Sequence, residues 1–265
     1  MIYFVTALSA EAKPIIDKYD LKRIYTLPYT LFEGESAKLI VTGIGLENAM
    51  MAVSAFLGHC PPKQGDLLVN VGICASPKEF AIGEVLLANK LTNKEHSYYP
   101  DVLFEHPLLE TQLQSADAPA DVHQDLATDM ESYGVYKAAS RFFDTHEMLF
   151  IKVVSDHFEP QSVTKEQAVL LIENALAKIE ETLNNALQAN KKNELFSAEE
   201  EALIKEIGEH LTKAQSDAFY DACCYFKLHY KEPLHVKAPI EKLSKQQRSG
   251  FFKDLIAALT HENVK

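Results

Sequence analysis

No run of apolar residues in this 265-residue chain reaches the roughly 18–20 needed to cross a bilayer. The opening MIYFVTALSAEAKP lacks the basic stretch that starts a secretory signal, and it reads as a first strand. Cysteine is scarce. Cys60, Cys74, Cys223 and Cys224 are the only four, none at zinc-finger spacing, and the Cys223–Cys224 neighbours point in different directions on a helix. The expectation is reduced thiols in a cytoplasmic protein with no metal site. Positive charge is also in deficit, with a net charge of -12 and a pI near 5.3. The deficit is local: from Asn190 onward there are 12 Lys+Arg and 12 Asp+Glu, which leaves 14 against 26 before it. A neutral tail lacks the electrostatic footprint of nonspecific nucleic-acid binding. Neither nucleic acid nor membrane is therefore expected as a partner, and no internal repeat or low-complexity segment is present.

What is there is an ordinary globular composition, 47% hydrophobic and 24% charged. Strand-like runs at residues 2–7, 31–33, 39–42, 66–71, 83–91 and 149–154 alternate with helical periods over 10–18, 48–57, 129–143 and 164–189. Residues 93–127 show no clear pattern. The expected fold is α/β: a three-layer α/β/α domain with a central twisted mixed sheet over residues 1–189. A polar break at 190–194 precedes helical periods at 197–211, 213–230 and 244–259, expected to form a small all-α domain over 195–265. Ser197 and Ser244 are positioned to open the first and last of these helices. Phe219, Tyr220, Tyr225, Phe226 and Tyr230 are concentrated in the middle one, where the core of a small domain is the ordinary reading and a protein-binding face the rarer one.

Several segments carry chemistry. Asp156 follows a buried apolar strand, at the carboxyl end where open α/β sheets place their ligands. Glu131 falls in the first turn of the helix expected over 129–143, whose N-terminus favours an ionised carboxylate. Gly43-Ile44-Gly45 precedes a helix, so its backbone N–H groups can cradle an anion or a sugar oxygen. It is not a dinucleotide fingerprint, because Asn48 occupies the place of the third glycine.

Four segments, taken in order, resemble the superfamily of purine nucleoside phosphorylases and methylthioadenosine/S-adenosylhomocysteine nucleosidases. They are Thr6-Ala7-Leu8-Ser9-Ala10-Glu11; Thr42-Gly43-Ile44-Gly45-Leu46-Glu47-Asn48-Ala49; Asn70-Val71-Gly72-Ile73-Cys74-Ala75-Ser76 with Ile82-Gly83-Glu84-Val85; and Asp129-Met130-Glu131-Ser132 with Val154-Ser155-Asp156. The resemblance spans about residues 1–190 and leaves the tail outside. It implies that Asp156 protonates the purine N7, that Glu131 accepts hydrogen bonds from ribose hydroxyls, and that Met130 packs against the sugar. It places Ser155, Cys74, Ala75 and Gly45 at the substrate, and it implies a homodimer that needs no cofactor. Holding a proton on an aspartic acid at pH 7 costs about 4 kcal/mol unless its surroundings favour the neutral form. Apolar neighbours and the Ser155 hydroxyl are the expected means.

The nucleophile divides the superfamily. Phosphorolysis requires cations, usually arginines, around a phosphate dianion. Here the first turn is Leu8-Ser9-Ala10-Glu11 and Asn70-Val71 precedes Gly72, so both arginine positions are uncharged or acidic. Glu11 matches the nucleosidase glutamate that acts as general base on water. The expected activity is hydrolysis of the N-glycosidic bond of a purine nucleoside, with methylthioadenosine, S-adenosylhomocysteine and futalosine as candidate substrates. A phosphate-dependent phosphorylase and a noncatalytic nucleoside-binding or scaffold protein are the alternatives. The sequence departs from the family in three places. Lys152 replaces an arginine, Ala75-Ser76-Pro77 replaces a Gly-Gly, and the segment that supplies an aromatic residue to the base is shortened, with Tyr98, Tyr99 and Phe104 as substitutes. His96, His106 and His123 are expected at the surface and His157 in a loop.

Overall fold

The computed structural model describes residues 1–93, 95–190, 195–230, 232–234 and 245–260. Ser244 and residues 191–194 of the expected break lie outside them. The chain divides into two compact units, Met1–Lys191 and Lys192–Lys265.

The first unit is built on a mixed ten-stranded sheet. Its centre is β1 (Ile2–Thr6), flanked by the parallel neighbours β4 (Ala37–Val41) and β5 (Leu67–Ala75). On one side β4 continues antiparallel into β3 (Thr30–Glu33) and β2 (Lys22–Ile24). On the other, β5 pairs in parallel with β10 (Met148–Asp156). The strand β10 leads on through β6 (Val85–Thr92), β8 (Leu109–Ser115) and β9 (Ala127–Asp129), and β9 returns to β5. Five strands thus close on themselves. The short β7 (Ser97–Tyr98) pairs with β6.

Strand alternation divides the core between two faces. Tyr3 and Val5 face α2 (Leu46–His59) and α3 (Ser132–Ala139), while Ile2 and Phe4 face α1 (Ser9–Lys18) and α4 (Lys165–Ala189). The layered arrangement is the one expected. Strand β2 lies where none was expected, and two further assignments differ. The unpatterned stretch 93–127 contains β8, whose polar residues are tolerated because β6 and β9 supply its backbone partners on both sides. The helix expected from Asp129 starts only at Ser132, because Asp129 completes β9.

Helices α2 and α3 approach closely at Gly134, where an added Cβ would stand 2.4 Å from the Leu46 carbonyl oxygen. Backbone cannot yield as a side-chain tip can. Gly134→Ala is expected to cost about 1–3 kcal/mol by overpacking, read as a lowered urea midpoint; an unchanged midpoint would show that the two helices slide freely.

The second unit contains α5 (Ala198–Glu209), α6 (Lys213–Tyr230) and α7 (Lys245–Thr260) around Phe196, Ile207, Phe219, Cys223 and Leu259. Ser197 caps α5 by accepting the Glu200 N–H. The aromatics of α6 do not all enter the core as expected: Phe219 is buried and Phe226 packs against it, but Tyr220 and Tyr225 are exposed. The inward face of α6 carries Phe219, Ala222 and Cys223, and Tyr220 and Tyr225 fall on its outer side. The Glu200 carboxylate is almost fully enclosed, accepting from Lys227 Nζ at 2.6 Å and from the backbone N–H groups of Leu234 and Ser197. No helix among the described residues is long and apolar enough to cross a membrane.

Candidate active site

The parallel strands β1, β5 and β10 end side by side, and a cavity of about 280 Å3 opens where they stop. Glu11, Glu131 and Asp156, far apart in the chain, all line it, and all three are buried. Met130, Ser155, Cys74 and Ala75 line it as well. Gly45 does not. Its N–H is instead donated to Glu131 Oε1 at 2.8 Å, so the glycine loop serves the carboxylate rather than an open anion site.

Glu11 projects from the first turn of α1 and reaches back over the end of β1. Its Oε2 accepts the Ala7 and Leu8 N–H groups at 3.0 and 2.9 Å, and Oε1 accepts the Ile73 N–H at 2.9 Å. Burial raises this carboxyl above its ordinary range, against the pull of Lys152 and the three backbone donors. A base that binds its proton more tightly than a surface carboxylate is better matched to work near neutrality.

Glu131 sits at the N-cap of α3, not within its first turn. Burial and the neighbouring Asp129 push its carboxyl up to about 7, against the pull of Lys152 and the Gly45 N–H. Few solvent molecules and a second carboxylate nearby both penalise the charged form.

Asp156 is the last residue of β10, and the register slips just before it: Val154 pairs with Cys74 and Asp156 with Ala75, leaving Ser155 as the extra residue. Such irregularities re-aim side chains at strand ends. Asp156 Oδ1 accepts the Glu159 N–H at 2.8 Å, so it caps the following turn while facing the cavity. Phe158, inside that turn, is buried with a φ of 67°. A bulky side chain in the left-handed region costs roughly 1–2 kcal/mol. The turn's capping and Phe158's burial offset that strain. Ser155 Oγ lies 2.7 Å from Asp156 Oδ2 and 3.1 Å from the Cys74 carbonyl oxygen.

Asp129 is the lining acid whose part the sequence did not reveal. It accepts from Ser115 Oγ at 2.6 Å and from the Ser132 N–H at 3.0 Å, and forms an ion pair with buried Lys152 at 3.0 Å. Residues Pro119, Ala120, Pro160, Val163 and Thr164 also line the cavity and carried no signal, since apolar and small side chains in loops look alike in sequence.

The aromatic substitutes proposed for the base are elsewhere. Tyr98 stacks on Tyr133 and Tyr136, Tyr99 is exposed, and Phe104 packs beside His106. Among the described residues the cavity has no aromatic lining. His157 Nδ1 is 3.0 Å from the Ser76 carbonyl oxygen, outside the lining. The His106 side chain is 6% exposed beside Glu110, not on the surface as expected.

A closed ring of strands, flanking helices and an acid-lined cavity at the strand ends make up an α/β fold that this chain shares with solved structures of nucleosidases. Eight such structures are 12–20% identical to this chain. A 5′-methylthioadenosine/S-adenosylhomocysteine nucleosidase from S. pneumoniae, with a transition-state inhibitor, matches with a TM-score of 0.59 at 17% identity, over 69% of this chain and 98% of that one. The 5′-methylthioadenosine nucleosidase of Arabidopsis thaliana gives 0.55 at 20%, over 72% and 96%. A futalosine hydrolase of Helicobacter pylori gives 0.56 at 14%, over 69% and 97%. No protein-family model and no curated protein sequence matches the chain.

Proposed function

We propose that this protein hydrolyses the N-glycosidic bond of a purine nucleoside. The observation that carries the reading is the convergence of Glu11, Glu131 and Asp156 on one cavity. Asp156 gives a proton to the base N7 as the C1′–N9 bond breaks and its electron pair leaves with the base. Glu131 accepts hydrogen bonds from the ribose hydroxyls and stabilises the positive charge growing on the sugar. Glu11 takes a proton from the water whose oxygen bonds to C1′, leaving free base and free sugar. The similarity in fold to enzymes named as nucleosidases and as a futalosine hydrolase supports the same chemistry.

The surroundings of Asp156 aim it at the cavity: the Ser155 hydroxyl is shared between Oδ2 and the Cys74 carbonyl oxygen, and Oδ1 accepts the Glu159 N–H.

Water is favoured over phosphate as the nucleophile by charge. Four acidic side chains line the cavity, Asp129 and Glu11 among them, and among the described lining residues Lys165 is the only cation and no arginine is present to fork onto a phosphate. A phosphate dianion there would be repelled. Chromatography of a nucleoside panel incubated with the protein should show free base and free ribose at equal rates with and without phosphate. Release that required phosphate and gave ribose-1-phosphate would make the protein a phosphorylase. Tight binding with no release would make it a nucleoside-binding protein.

A further inference from the structure

Beneath the three acids lies a cation that the reaction scheme does not use. Lys152 stands in the middle of β10, 3% exposed, with neighbours on both strands that flank it. A buried ammonium is costly unless it is paired. Its direct partner is Asp129 at 3.0 Å. It also reaches towards Glu11: a Cβ built on Gly72 would stand 2.9 Å from Glu11 Oε1 and 3.3 Å from Lys152 Nζ, so the two charges crowd the same point over that glycine. The absence of a side chain at residue 72 lets them approach.

We propose that Lys152 is a positioning residue that keeps Glu11 and Glu131 competent to act as anions near neutral pH, through its ion pair with Asp129 and its approach to Glu11 over Gly72. The inference rests on the base and ribose roles given to those two glutamates above.

The groups that face the ammonium come from every side: Asp129 from β9, Glu11 from α1, Glu131 from the cap of α3 and the Cys74 thiol from β5. Asp156 acts on the same Cys74 from the end of β10. Burial works against charge on Lys152, but the carboxylates of Asp129, Glu131 and Glu11 outweigh it and hold the lysine above its usual range. Lys152 in turn lowers Glu11 and Glu131, both of which burial drives upward. One cation therefore serves three carboxylates. Without it, burial drives the two working glutamates further towards the neutral form, opposed only by their backbone N–H donors.

The test compares Lys152→Met with Lys152→Arg in the full chain. In Lys152→Met the acid limb of the kcat/KM profile for base release should move up by about one pH unit or more, the usual effect of an opposite charge within about 4–6 Å. Lys152→Arg keeps the charge and should restore the limb, even if its bulk lowers kcat. A folded Lys152→Met with an unmoved acid limb would overturn the proposal. So would an arginine variant whose limb is displaced as far as that of the methionine variant.

A second measurement does not depend on turnover. Thermal stability falls as the pH rises above about 4.5 and levels off once Glu11 and Glu131 have ionised in the folded chain, and the pH at which it levels off should be higher in Lys152→Met than in the wild type. If no nucleoside is cleaved by the wild type but this displacement occurs, the enzyme reading fails and the electrostatic role stands. If cleavage occurs and the displacement does not, the role of Lys152 fails alone. Should Lys152→Met not fold, Lys152→Gln takes its place. That variant removes the charge but keeps a donor for Asp129, so the acid limb must again move up, and a fixed limb overturns the proposal.

Discussion

Asp156→Asn is expected to lower base release by about 10²–10⁴-fold, the range by which a positioned acid accelerates such steps, while the protein stays folded. The asparagine can reproduce the resting contacts. Its Oδ1 can accept the Glu159 N–H that Asp156 now receives at 2.8 Å. Its Nδ2 can donate to Ser155 Oγ, leaving the serine hydrogen for the Cys74 carbonyl oxygen. What it cannot do is surrender a proton to a departing purine. The loss should therefore fall on kcat, with little change in melting temperature. A nitrophenyl riboside, whose leaving group departs without protonation, should be cleaved by wild type and variant at similar rates. If purine release survives the substitution within a few-fold, Asp156 is not the acid.

Glu131→Gln should remove activity and add stability. The amide can still accept the Gly45 N–H, but it cannot place a full negative charge beside the sugar; a loss of about 10²-fold or more is expected. The stability effect follows from linkage. Glu131 is held up to about 7 in the folded protein, against 4.5 for the free group, chiefly by burial and then by Asp129. Below about pH 4.5 both folded and unfolded chains carry the proton and nothing is lost. As the pH rises from there to about 7, the unfolded chain releases its proton first, so the folded state loses stability across that window. At pH 8 the buried anion costs up to about 3 kcal/mol. Glutamine escapes that cost. The variant should match the wild type in thermal melts at pH 4.5 and exceed it by several degrees at pH 8. Equal melting at both pH values would mean that Glu131 is ionised without penalty. In the wild type the same carboxyl should give the kcat/KM profile an acid limb near pH 7.

Much of this architecture was legible because burial leaves a strong mark on composition. The strands β1, β5 and β10 are apolar on both faces, and so they stood out as continuous runs. The strand β8 did not, because residues such as Glu110, Gln112 and Gln114 face outward or only partly inward and its order comes from pairing with β6 and β9. Asp129 was misread for a related reason. An aspartate shortly before a helical period is a natural helix start, and only the pairing of β8 with β9 shows that the chain is still extended there.

The sequence by itself determined the chemistry on offer: three acids, each placed by a local motif at the end of a strand or the start of a helix. Side-chain identity and local backbone preference travel with the chain, so those features could be read from it. Only the tertiary structure decided how the charges are held. It brought Lys152 to Asp129 and, over a bare Gly72, close to Glu11; it gave the Gly45 N–H to Glu131; and it left the tyrosines stacked away from the cavity. These are contacts between residues tens of positions apart, set by packing and by the loss of water, and no local pattern encodes them.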